Sequence, residues 1–180
     1  MIVVKNKKWK ILSKIESQNI WSKVYKEFDF QPRFETEGDV YFINQSYDLY
    51  DCSEAAYIAD TNINWSVTIQ NIFLKSLNKG QKKIYALTWK HNDFIYDPSI
   101  KIESQNPLSE DNTVLKNNGD IYYLPRFYPD GEYYIFIAKD FSWGYLTDPW
   151  RKHIFVFGDP LKRIFRKESS ILKFNLISSN

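Results

Sequence analysis

A chain of 180 residues is most economically one domain, because a second would leave each half short of core. Hydrophobic (43%) and charged (26%) shares are ordinary, and a formal net charge of +2 is too mild to specify a nucleic-acid or membrane partner. The opening MIVVKNKKWK lacks the apolar run of a signal peptide, no stretch approaches the roughly 20 apolar residues of a membrane span, and the single cysteine, Cys52, excludes an intramolecular disulfide, so the chain reads as cytoplasmic.

In chain order, Ile20, Trp21, Val24, Tyr25 and Phe28 fall on one stripe of a predicted helix over 17–30, closed by Pro32. A short strand is predicted at Val40–Ile43 after the Gly38-Asp39 turn, and 47–62 follows no clear period. Trp65, Ile69, Ile72, Phe73 and Leu77 predict a second helix, capped at Asn62 or Asn64 and ended by Gly80. Strands follow at 83–89 and 93–96, joined through His91-Asn92. The polar, proline-bearing stretch 97–119 reads as a long surface loop.

The last third is sheet-like. Strands at 121–124, 132–138, 143–146 and 153–157 are separated by the turn signals Pro129-Asp130-Gly131, Lys139-Asp140, Asp148-Pro149 and Gly158-Asp159. A terminal helix starts near Pro160, with Asp159 as its cap. The expected architecture is a single α+β domain over 1–180, with a mainly antiparallel sheet and its helices packed on one face. Aromatic residues make up 18% of the chain, including 6 Trp and 13 Tyr, more rings than one small core encloses.

Four pieces of the β-rich part, about 83–158, form an ordered pattern. They are Tyr85-Ala86-Leu87-Thr88-Trp89-Lys90-His91, Pro129-Asp130-Gly131-Glu132-Tyr133-Tyr134, Lys139-Asp140-Phe141 with Gly144, and Asp148-Pro149-Trp150 running into Val156-Phe157-Gly158. In order and spacing they resemble DUF2716, a bacterial family of uncharacterised proteins, over roughly the carboxyl-terminal half. The chain departs from that pattern at Thr88, where the family tends to carry an acid, at Lys90, where it has glutamine, and at Thr147-Asp148, where it has Gly-His. The resemblance implies a compact domain and imports no cofactor, substrate or mechanism.

Candidate chemistry is sparse. His91 and Asp93, two residues apart on an extended segment, could form a metal-ligand or base pair, with His153 the one further imidazole; the plainer reading makes His91 a turn residue. Asp130, Glu132, Asp140 and Asp148 lie at strand ends and invite a paired-carboxylate reading, against which Pro-Asp-Gly and Asp-Pro are turn formers. Cys52 lies among acids that would raise its pKa, which argues for an inert thiol. No metal site and no cofactor are expected, and no known enzyme motif is present.

Lys5, Lys7, Lys8 and Lys10 form one basic cluster, and Lys162, Arg163, Arg166 and Lys167 another on the final helix. Nucleic acid is disfavoured by the low net charge, and the second cluster is explained as cations complementing a helix carboxyl end. Trp143, Tyr145, Trp150 and Arg151 are of the types enriched in protein interfaces. The leading expectation is therefore a non-enzymatic module that binds a partner protein, such as an immunity-type protein neutralising a toxin. The alternative is a small enzyme or small-molecule binder, with His91, Asp93, Asp130 and Glu132 lining its site.

Overall fold

An eight-stranded antiparallel sheet organises the protein, with, among the described residues, a helix on one face and two on the other. The structure is a computed structural model, and it describes residues 8–32, 45–55, 65–100, 114–117 and 120–180. The strands are β1 (Trp9–Ile11), β2 (Tyr47–Asp51), β3 (Ile84–Thr88), β4 (Phe94–Tyr96), β7 (Tyr134–Ala138), β8 (Gly144–Asp148), β9 (His153–Phe157) and β10 (Asn175–Ser179), in the order β1-β4-β3-β7-β8-β9-β2-β10. A separate hairpin pairs β5 (Val114–Asn117) with β6 (Asp120–Tyr123). The helices among the described residues are α1 (Lys14–Phe28), α2 (Trp65–Ser76) and α3 (Asp159–Leu172).

The α+β class and the antiparallel sheet stand as expected, but the helices do not share a face. Ile20, Val24 and Phe28 of α1 pack with Leu87, Ile135, Ile137, Leu146, Phe155 and Phe157. Ile69, Ile72 and Phe73 of α2, with Leu161 and Phe165 of α3, pack on the opposite face against Phe94, Phe136, Tyr145 and Val156. The reason is visible in β7, Tyr-Ile-Phe-Ile-Ala, which is buried at every position. A strand apolar on both sides needs cover on both sides. Two cores also enclose most of the rings: Phe73 alone meets Phe127, Phe136, Trp143 and Tyr145 at centroid distances of 5.3–5.7 Å.

Local chemistry sets the helix boundaries. Ser13 and Glu16 form a reciprocal capping box at the start of α1. Its end is Asp29 in the left-handed conformation, three residues before the proline expected to close it. Gly80 (φ +90°) lies four residues beyond α2 and serves a turn in which Gln81 N donates to Asn78 O. The cap of α3 is Gly158 (φ +83°), not Asp159, which is already the first helical residue.

Residues 47–62, read as patternless, contain β2, whose alternate residues Asp48 and Tyr50 are buried. The predicted loop 97–119 contains β5. The strand expected at Val40–Ile43 and the caps at Asn62 or Asn64 lie outside the described residues.

Candidate functional site

Turns between antiparallel strands gather at one end of the sheet. Three segments meet there: the β3–β4 turn carrying His91, the β6–β7 connection carrying Asp130 and Glu132, and the β8–β9 turn carrying Trp150 and Arg151. Lys152 Nζ donates to Pro129 O at 2.9 Å, tying the last two segments together.

His91 pairs with Glu132, not with Asp93. Nδ1 of His91 lies 2.6 Å from Glu132 Oε1, and Lys90 N donates to Glu132 Oε2 at 2.8 Å. A carboxylate at this distance accepts, so Nδ1 is the donor of the pair. Glu132 is nearly buried whereas the His91 side chain is half exposed. Together with Tyr123, Leu124, Arg126 and Tyr134 the pair lines a cavity of about 190 Å³. Burial, then the nearby Glu132 charge, pushes the Tyr134 hydroxyl up to about 12, and that hydroxyl donates to Asp130 O at 2.9 Å.

The other proposed members do not converge there. Asp93 is buried on the α1 side, where Ser17 Oγ, Trp21 Nε1 (2.9 Å) and Thr88 N (2.9 Å) donate to it. Burial raises its carboxyl above the usual range, and those three donors only partly offset this. Asp130 is exposed and pairs with Arg126. His153 lies on β9, and β7 and β8 intervene between it and β3. At about 4.8 Å per strand spacing that separation is roughly 14 Å, too far for a shared ion. No group of three or more His, Cys, Asp or Glu able to hold a metal occurs among the described residues.

The remaining acids are turn formers. Asp148 Oδ1 accepts from Trp150 N at 2.9 Å and from Arg151 N at 3.3 Å. Asp140 accepts from Ser142 N at 3.1 Å. Cys52 is buried, its thiol pushed far up by desolvation and then by Asp51, with Sγ 2.8 Å from Lys152 O. That arrangement disarms it as a nucleophile.

Of the expected docking residues, Trp143 and Tyr145 are fully buried in the α2–α3 core and present nothing to a partner. Trp143 immediately precedes β8 and Tyr145 lies in it, and Tyr145 Oη donates to Phe127 O. Trp150 is 41% exposed and stays on the surface with the partly exposed Arg151. The sequence reading missed the exposed Ile121 and Tyr123 on β6. Tyr123 meets the His91 ring edge-on at 5.8 Å.

A second polar cluster was not foreseen. Asp48, the second residue of β2 and buried, accepts from Arg166 Nε (2.6 Å), Arg166 Nη2 (2.7 Å) and Ser179 Oγ (2.7 Å), with Lys162 Nζ at 3.6 Å. Burial pushes its carboxyl up, but the Arg166 and Ser179 hydrogen bonds and the two cations outweigh this and hold it below the usual range. The signal available was an aspartate alternating with Tyr50 on the buried face of β2, which calls for a compensating cation elsewhere.

Residues 11–162 match the profile of DUF2716, described as a protein of unknown function. The chain belongs to the DUF2716 family. The match takes in α1 and so reaches well beyond the carboxyl-terminal half. Over 170 residues the chain is 28% identical to the uncharacterised protein YxiI of Bacillus subtilis (strain 168), covering 91% of this chain and 96% of that protein. No solved structure matches.

In this chain the DUF2716 motif positions do structural work. A Cβ on Gly144 would overlap the Phe157 ring, and one on Gly158 would meet Ser142 O and Trp143. Gly131 (φ +86°) turns the chain into β7. At the departures from the pattern, Thr88 Oγ1 accepts from His91 N at 3.1 Å and Thr147 Oγ1 from Tyr134 N at 3.0 Å, so both hydroxyls stabilise backbone.

Proposed function

We propose that this protein is a non-enzymatic, cytoplasmic protein-binding module of the immunity type, which neutralises a toxin by occupying part of its surface. The observation that carries this reading is the composition of the turns at one end of the sheet, where the exposed Tyr123 meets His91 near Arg126, and the β8–β9 turn presents Trp150 and Arg151. Large apolar rings normally avoid water, and rings mixed with arginine are the residue types of binding hot spots. Hydrogen-bonded turns hold these side chains, which lowers the entropy cost of association.

The 190 Å³ cavity beside them lies below the roughly 300–1,000 Å³ of small-molecule sites, which favours a macromolecular partner. The test is a tagged pull-down from lysate of the source organism, run with the native chain and with Trp150→Ala. A single stoichiometric protein retained by the native chain and weakened about 30-fold or more by the substitution supports the reading. Recovery of the chain alone overturns it.

A second reading draws on the His91–Glu132 pair, an imidazole oriented by a carboxylate in the manner of a general base. It requires a small ligand whose binding is abolished by His91→Ala. Screening by thermal shift, with unchanged responses in the variant, would discard it.

A further inference from the structure

The four cations of α3 are not explained by the helix dipole. Lys162 stands in the first turn and Arg163 directly after it, Arg166 and Lys167 follow in mid-helix, and the last turn carries no basic residue. A dipole disfavours cations near an amino-terminal end, so their grouping there needs another cause. Asp48 supplies it for two of them: Arg166 holds the carboxylate by two hydrogen bonds, with Lys162 3.6 Å away. Glu168 further along the helix is occupied by Lys75 of α2 at 3.1 Å.

Arg163 and Lys167 remain. Both are exposed, one helical turn apart, and without an ionic or hydrogen-bonding partner among the described residues. With Asp159, Pro160, Lys162 and Arg166 they line a surface concavity of about 610 Å³. Half of Arg166 is exposed towards it while its other side is locked onto Asp48. The result is a cationic surface on a rigidly anchored helix, starting at the end of β9 opposite the turn that bears Trp150.

We infer that this outer face of α3 is a docking surface for an acidic patch on a partner protein. Charge complementarity selects the occupant: two unmatched cations and the outer edge of a third face solvent against one acid of the same surface, Asp159, while Glu168 is held by Lys75. The inference rests on the protein-binding reading and adds a second surface to it, one that steers association electrostatically.

The test uses the full chain and a short fluorescein-labelled polyglutamate peptide, followed by anisotropy at about 20 mM and about 200 mM salt. Binding that falls with salt, and that drops about tenfold or more in Arg163→Glu/Lys167→Glu, is the expected result. Lys82→Glu/Lys83→Glu makes the same change of charge at exposed positions before β3 and should leave affinity nearly unaltered. Equal loss in both pairs, or no loss in the first, overturns the inference. Tighter binding of a labelled oligothymidylate through Arg163 and Lys167 would also overturn it, in favour of single-stranded nucleic acid. The lysate pull-down reports separately: a Trp150-dependent partner with no peptide binding leaves the module reading intact and removes this surface alone.

Discussion

Two buried aspartates illustrate how surroundings set the behaviour of a side chain. Asp93 is met by three neutral donors and Asp48 by two cations. The signs of their pH dependence are therefore opposite. The Asp93 carboxyl is raised in the folded state, so the folded protein binds the proton more tightly than the unfolded chain. Its contribution is full below the unfolded value of about 3.9 and declines as pH rises through the folded one. Asp93→Asn leaves one of three donors facing an amide N–H and should cost about 1–3 kcal/mol. Urea denaturation at several pH values should show that gap shrinking as pH rises. For Asp48 the folded value is depressed, so its contribution is present above about 3.9 and is lost as pH falls through the lower folded value. An Asp48→Asn variant should show a flatter acid limb than the native chain, and an unchanged limb would refute the assignment.

Between elements, these contacts act as fasteners. Asp93 links the β3–β4 hairpin to α1, and Asp48 links β2 to α3 and β10. Breaking a buried ion pair costs about 3–5 kcal/mol; the half-exposed Arg166 places Arg166→Ala near the lower end. Strand β10 is exposed at every residue and has β2 as its single neighbour. Hydrogen exchange in Arg166→Ala should therefore accelerate at Asn175–Ser179 and leave β7 and β8 protected. The glycines of the β8–β9 region make a further prediction. Gly144→Ala forces the buried Phe157 ring to move and should destabilise by about 1–3 kcal/mol, read by thermal melting. Elements with strong period or turn chemistry were legible beforehand: α1, α2, β3, β4 and the hairpins from β7 to β9. Strand β2 was not, because an aspartate at an inward position looks polar until Arg166 is known to reach it. The three-residue β1 and the fully exposed β10 carry too little pattern of their own, being held by pairing to β4 and β2.

For the molecule as a whole, sequence reasoning reached the fold class but divided the helices wrongly, since period shows that a face is apolar and not which side of a sheet will cover it. The site was half legible. His91 and Glu132 were both nominated, yet their pairing spans 41 positions and no spacing rule joins them. Trp143 and Trp150 look alike as letters; packing against Phe73 of α2 buries the first and a turn exposes the second. One feature of the topology governs how the chain acquires this shape. Strand β2 is made early but sits between β9 and β10, whose residues follow it by more than a hundred positions. During synthesis the ribosome releases β2 long before either neighbour exists, so its inward Tyr50 waits unpaired while the strands from β3 to β8 can already zip together. Completion then amounts to insertion of an early segment into a late slot, which makes that seam the last of the sheet to close.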